Sequence, residues 1–144
     1  MRVACTITAL LIAATLSVPA FGEPQPAYVV IVHPENTIQA IDRKFLADVF
    51  LKKVTRWDTD EVAQPVDREP GSALRERFSG EMLARSLSAV KSYWQQLIFS
   101  GRALPPPEVV GDDQVVAYVL RHRGAVGYVT AGTDLKGAKL LTVR

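Results

Sequence analysis

The amino-acid sequence predicts one layered α/β domain, with helices on both faces of a sheet. Strand-like and helix-like segments alternate in the order β, α, β, α, α, short β, α, β, β, which is typical of layered α/β folds. The first strand, residues 28–32, is an unbroken apolar run, as expected for a strand buried on both faces of a parallel or mixed sheet. The length of 144 residues is sufficient for one domain with a modest core.

Residues 1–22 are predicted to be a secretory signal peptide. The chain begins with the positive Met1-Arg2, continues with a mainly apolar run over 3–18, and then places small residues around Phe21. A membrane anchor is the alternative, but the apolar run is short for a span. We therefore expect an exported domain that covers residues 23–144.

Composition excludes several classes of function for that domain. The lone cysteine, Cys5, lies in the predicted signal peptide, so the mature chain has no disulfide and no thiol chemistry. The formal charge of the whole chain is only +2, and its densest basic stretch, 121–123, is expected at a helix end. No basic stripe is interleaved with aromatic residues, so nucleic-acid binding is not predicted.

Apolar residues at spacings of three and four predict four helices. They cover residues 43–51, 74–83 and 86–99 and a segment from Gly111 to about Arg123. Asp42 is the predicted N-cap of the first helix. Further strands are predicted at residues 61–66, 109–110, 125–129 and 139–143. Trp57, in the loop after the first helix, is predicted to cover the edge of the core, with ligand stacking as the alternative.

No motif in the sequence specifies a reaction, a metal or a cofactor. His33 and His122 are the two histidines, and neither has a carboxylate and a third ligand at metal-binding spacing. Asp112 and Asp113 are adjacent carboxylates, but a helix cap followed by an acid in the first turn accounts for both. An enzyme is therefore not expected.

The candidate site lies at 66–75, where a predicted strand runs into a predicted helix. Arg68 supplies a forked donor suited to phosphate or carboxylate. Gly71 permits close backbone approach, and Ser72 is placed to cap the helix or to bond a ligand. Helix N-termini attract anions, so the stretch is a candidate anion site. An ordinary strand–turn–helix connection with a surface arginine is the alternative.

Five segments of the chain match a known family in order and spacing. They are residues 31–36 (IVHPEN), 45–52 (FLADVFLK), Trp57, 65–72 (PVDREPGS) and 124–129 (GAVGYV). Together they resemble the periplasmic phosphate-binding proteins of ABC importers. The resemblance implies a lobe like one domain of a type II periplasmic binding protein, located in the periplasm and without catalytic activity. It also implies phosphate or a related oxyanion as the ligand, and an ABC transporter permease or a partner lobe as the protein partner.

The resemblance assigns roles to individual residues. Arg68 matches the arginine that pairs with phosphate oxygens, and Ser72 matches the serine that donates from the helix N-terminus. Ala73 stands where the family has glycine and still offers its backbone N–H, so the expected anion-binding residues are Arg68, Gly71, Ser72 and Ala73. Leu74 replaces a threonine, so one side-chain donor is lost.

The family protein has two lobes that close on phosphate, and this chain resembles the second lobe alone. The first lobe supplies further donors and an aspartate that accepts the phosphate proton; Asp67 is a poor substitute because strand alternation points it away from Arg68. We expect weak oxyanion binding, about millimolar, unless a partner or a second copy completes the cleft. The alternative is a periplasmic protein-interaction module that has lost its ligand.

Overall fold

A mixed five-stranded sheet forms the centre of the computed structural model, which describes residues 27–144. The predicted signal peptide lies outside the described residues. The elements, in chain order, are β1 (Tyr28–Val32), β2 (Ala40–Ile41), α1 (Arg43–Phe50), β3 (Gln64–Pro65), β4 (Asp67–Arg68), α2 (Ala73–Met82), α3 (Leu87–Phe99), β5 (Glu108–Val109), α4 (Asp112–Arg121), β6 (Ala125–Thr130) and β7 (Lys139–Val143).

Strand β1 is the central strand of the sheet, whose order is β2-β7-β1-β6-β3. It runs antiparallel to both neighbours, and Ile31 lies opposite Gly127 on β6 and Leu140 on β7. Strands β2 and β3 run parallel to β7 and β6 respectively. Ile31 and Val32 are fully buried, as the apolar run of β1 predicts for a strand covered on both faces.

Helices cover both faces of this sheet. On one face, α1 and α2 bring Leu46 and Phe78 into a core cluster with Val30 of β1 and Tyr128 of β6. On the other face, three valines of α4 pack into a second cluster with Ile31. The predicted layered α/β/α arrangement is therefore confirmed, and its three layers result from apolar side chains that alternate between the two faces of β1.

Stacked aromatic rings fill the centre of the first cluster. The rings of Phe78 and Tyr128 lie parallel with centroids 3.9 Å apart, and Phe50 and Tyr28 contact the Phe78 ring at 4.8 and 5.6 Å. Such pairs add about 0.5–1.5 kcal/mol each beyond the burial of their area. Trp57 is 2% exposed and donates from Nε1 to the Gly124 carbonyl, so its predicted place at the core edge is confirmed.

Gly127 sets how closely α4 approaches the sheet. A Cβ atom at this position would lie 2.6 Å from Val115 of α4 and 2.9 Å from Val66. Because this space is already filled by valine side chains, only glycine fits without displacement of the helix.

The four predicted helices are present, while the strands differ from the predictions. The segment 61–66 contributes only the two-residue strand β3, because Val62 forms an isolated bridge with Arg56 instead of joining the sheet. The short strand predicted at 109–110 begins one residue earlier, as β5. Asp42 precedes α1, but its side chain makes no capping hydrogen bond. No helix within residues 27–144 is both long and apolar enough to cross a membrane.

Candidate anion site and its internal ion pairs

The predicted strand–turn–helix is present. Strand β4 ends at Arg68, and α2 begins at Ala73 with Ser72 as its N-cap. The Ser72 hydroxyl oxygen accepts from the backbone N–H of Arg75 at 3.3 Å, and Gly71 has a φ of 86°, which the turn requires. Gly71 and Ala73 are exposed and Ser72 is half-buried, so the helix N-terminus itself faces solvent.

Arg68 is buried, with only 9% of its side chain exposed. Strand β4 pairs with β5, and this pairing brings Arg68 close to the start of α4. Its Nε donates to Glu69 Oε2 at 3.0 Å, and its Nη1 donates to Asp112 Oδ1. Within the described residues, all side-chain hydrogen bonds of Arg68 go to these two carboxylates. The structure does not connect the guanidinium to Gly71, Ser72 or Ala73.

The Asp112 carboxylate has a further donor in the Thr130 backbone N–H, which lies 3.2 Å from Oδ1. The Thr133 hydroxyl also lies 3.2 Å from Oδ2, but its single hydrogen has a closer acceptor in the Thr130 carbonyl at 2.7 Å. Partial burial alone would raise the pKa of this carboxyl group, but the Thr130 hydrogen bonds and the Arg68 charge hold it below its usual value. Asp112 therefore stays ionised at neutral pH. The predicted capping role is wrong in detail, because Gly111 is the N-cap of α4.

Glu69 holds the other edge of the guanidinium. Its hydrogen bond from Arg68 is the largest cause of a pKa lowered to about 2, and the Gly111 backbone N–H also donates to Oε2 at 3.4 Å. Glu69 and Asp112 thus clamp Arg68 as a pair of ionised carboxylates.

A second arginine lies beside the first and is also paired. Arg75 Nη2 is 3.1 Å from Asp67 Oδ2, and Arg75 Nη1 is 3.2 Å from Glu108 Oε1. Asp67 also accepts from the Tyr128 hydroxyl. Burial raises the pKa of Asp67 by more than the Tyr128 hydrogen bond and the Arg75 charge lower it. Asp67 therefore faces the Arg75 side, as strand alternation predicts. It accepts from the backbone N–H of Arg68 at 2.8 Å but makes no hydrogen bond with the Arg68 guanidinium.

The charges of the whole cluster are unfavourable for a free anion. Two guanidinium groups are paired with four carboxylates, which belong to Asp67, Glu69, Glu108 and Asp112. An oxyanion that approaches Arg68 meets carboxylates already bound to it. Sequence reasoning missed this pairing because Arg68 and Asp112 are 44 residues apart, and each residue has an ordinary local interpretation. Among residues 27–144, no group of three histidine or acidic residues is placed to hold a metal ion.

An apolar groove of about 400 Å³ lies next to this cluster. It runs between α3 and the turn before α2, and its lining includes Leu87, Trp94, Gln95 and Ile98. Beside it along α3, Phe99 is 89% exposed. The sequence analysis interprets α3 only as a packing helix. It misses the groove because apolar residues lie on the solvent-facing side of α3 as well as on the side that packs against the core.

The fold matches one domain of a periplasmic binding protein. A family model described as the PBP superfamily domain matches residues 27–143, and the chain belongs to this family. No curated protein matches the chain by sequence.

Several solved structures share this fold at 14–19% sequence identity. One is a protein assigned as a phosphate ABC transporter substrate-binding protein, with bound phosphate, from Clostridium perfringens (TM-score 0.65, 19% identity, 81% of this chain and 44% of that one). Another is an ABC-type phosphate transport receptor from Vibrio cholerae, with a TM-score of 0.64 and 18% identity over 81% of this chain and 46% of that one. A third is PstS from Borrelia burgdorferi, with a TM-score of 0.64 and 14% identity over 82% of this chain and 47% of that one. The predicted family resemblance is thereby confirmed, and the chain spans less than half of the length of these structures.

Proposed function

We propose that this chain is an exported binding protein, not an enzyme, that acts by contact with another protein and does not capture free phosphate. The observation that carries this proposal is the burial of Arg68 between Glu69 and Asp112. A predicted signal peptide over residues 1–22 and the family relationship support a location in the periplasm.

An oxyanion at Arg68 would gain little over the contacts that it would replace. Each charge-assisted hydrogen bond contributes about 1.5–3 kcal/mol, and Arg68 already makes such bonds on both edges of its guanidinium. A phosphate would have to displace carboxylates that are part of the protein, and it would carry its own negative charge into their vicinity. The gain is therefore close to zero, and we expect no saturable phosphate binding below about 10 mM.

The groove beside α3 is the surface that supports a protein contact. Trp94 lines the groove with 7% exposure, Ile98 lines it with 45% exposure, and Phe99 beside the groove is 89% exposed. Apolar side chains that gather at the surface around a concave site mark interaction surfaces. Lys91 lies among the groove residues and supplies a positive charge that could orient a partner.

Site-specific photo-crosslinking in the native host tests this proposal. Gln95 lines the groove, while its neighbour Gln96 is exposed but does not line it, so the two positions form a matched pair. A photoreactive amino acid at position 95 should give a discrete crosslinked product that is absent or much weaker at position 96. Equal products at both positions, or none at either, would contradict a protein contact at the groove. Fractionation of the same cells tests the periplasmic location.

The second candidate function is oxyanion binding at Arg68, Gly71, Ser72 and Ala73, linked to phosphate uptake or sensing. It is favoured by membership of the PBP superfamily domain family and by a similar structure described with bound phosphate. In this case a partner lobe, a second copy or a transporter permease would complete the cleft. Calorimetry with phosphate and sulfate on wild type and Arg68→Ala distinguishes the two candidates. Saturable heat in wild type that Arg68→Ala loses would favour the oxyanion candidate.

A further inference from the structure

We propose that the partner at the groove beside α3 presents an acidic and apolar protein segment, with a carboxylate against Lys91 and apolar side chains against Trp94 and Ile98. This inference rests on the proposed function, because it specifies the chemistry of the partner at the same groove. The juxtaposition that carries it is a lysine without an ion pair beside a partly exposed apolar surface.

Three charged residues line the groove, and two of them neutralise each other. Arg75 Nη1 lies 3.2 Å from Glu108 Oε1. Lys91 is exposed and forms no ion pair with any residue in the described range 27–144. The charge of Lys91 is therefore the one that a partner can neutralise, and it favours a carboxylate at that end of the groove.

The segment that supplies α3 contains no acidic residue. Residues 82–107 include Arg85, Lys91 and Arg102 but neither aspartate nor glutamate. Helix α3 lies entirely within this segment, so no carboxylate of the helix or its flanking loops offsets these positive charges. Such a surface attracts acidic partners and disfavours basic ones.

The apolar part of the groove follows Lys91 along the same helix. Trp94 is 7% exposed, Ile98 is 45% exposed, and Phe99 beside the groove is 89% exposed. Lys91 and Ile98 are separated by two helical turns, which places them about 10 Å apart along one face. A complementary segment therefore carries a carboxylate and an apolar side chain at about that separation.

A protein segment fits this surface better than a lipid bilayer does. The groove is a concave site of about 400 Å³, and Val90 and Trp94 on its wall are already mostly covered by the fold. A helix that binds a bilayer instead lays a continuous apolar face into the lipid. Concave sites with an apolar lining and a few charges are typical of places that receive individual side chains.

Charge reversal at Lys91, combined with photo-crosslinking from position 95 in the native host, tests the inference. Lys91→Glu should lower the yield of the crosslinked product at least about fivefold, because it places like charges opposite each other. Lys91→Arg keeps the charge and should keep the product. Lys136→Glu is the matched control, since Lys136 is an exposed lysine that does not line the groove.

Mass spectrometry of the crosslinked product supplies a second test that does not depend on these variants. The partner peptide joined to position 95 should contain an aspartate or glutamate near the crosslinked residue. Replacement of that acid by lysine should restore the product with Lys91→Glu and reduce it with the wild-type lysine, because the two charges are then exchanged.

The inference is overturned if Lys91→Glu, shown by circular dichroism to be folded, crosslinks as well as wild type. It is also overturned if the partner peptide has no acidic residue, or if the product is a lipid adduct. In the first two cases the protein contact at the groove stands and only its chemistry is wrong. The absence of any product at position 95 contradicts the proposed function as well, so the two failures are distinguishable.

Discussion

Replacement of Arg68 by alanine should destabilise the fold, because this arginine neutralises two carboxylates that the fold brings together. Loss of one partner from a buried ion pair costs about 3–5 kcal/mol. Glu69 and Asp112 keep 29% and 25% side-chain exposure, so water can reach both of them after the substitution. We therefore expect the free energy of unfolding to fall by about 2–3 kcal/mol, which for a domain of this size lowers the Tm by about 8–12 °C.

The same substitution should change how stability depends on pH. The pKa of Glu69 is lowered to about 2 and that of Asp112 is also lowered, so the unfolded state binds more protons than the folded state in acid. The stabilisation by these carboxylates is complete above about pH 5 and is lost as the pH falls toward 2. The difference between wild type and Arg68→Ala should therefore be largest at neutral pH and should shrink in acid.

Urea unfolding followed by circular dichroism at several pH values measures both effects. Arg77→Ala is the matched control, because Arg77 pairs with Glu81 on the exposed face of α2. Such a surface pair contributes about 0.3–0.5 kcal/mol. The structural role assigned to Arg68 would be refuted if Arg68→Ala lowered the free energy of unfolding no more than Arg77→Ala does. It would also be refuted if the difference in that free energy between wild type and Arg68→Ala stayed constant from neutral pH to acid.

Two further predictions concern packing around the sheet. Gly127→Ala should destabilise the fold by about 1–3 kcal/mol, because its Cβ would lie 2.6 Å from Val115. Gly80→Ala has no atom within 4 Å of its Cβ and should stabilise α2 by about 0.5–1 kcal/mol. Thermal melts in which both variants change the Tm in the same direction would contradict this. Trp57→Phe should cost about 1–3 kcal/mol because the Gly124 carbonyl loses its indole donor, and urea unfolding with no loss would contradict that contact.

The four helices were predictable from the sequence to within about two residues at each end, because their signals are local. Ser86 caps α3 and Ser72 caps α2, and both serines lie just before an apolar pattern of helical period. The sheet order was not predictable in the same way. Strand β1 pairs with β6 and β7, which lie about a hundred residues further along the chain, and β2 has only two residues. Such pairings depend on tertiary contacts that no local pattern records.

The site was predictable in its residues but not in its pairings. Arg68 and the turn after it were identifiable, because a forked cation followed by glycine and serine has a local meaning. The partner Asp112 was not identifiable, because an acid in the first turn of a helix is common for other reasons. The prediction that Arg68, Gly71, Ser72 and Ala73 bind an oxyanion stays a prediction.

Nuclear magnetic resonance of the Arg68 side chain tests the central claim most directly. The claim is that Glu69 and Asp112 hold the guanidinium, so that free phosphate does not reach it. The Arg68 Nε–H signal, assigned by its loss in Arg68→Lys, should be well resolved and should stay in place as phosphate is added to about 10 mM. A progressive and saturable shift of that signal with phosphate, absent with chloride, would contradict the claim.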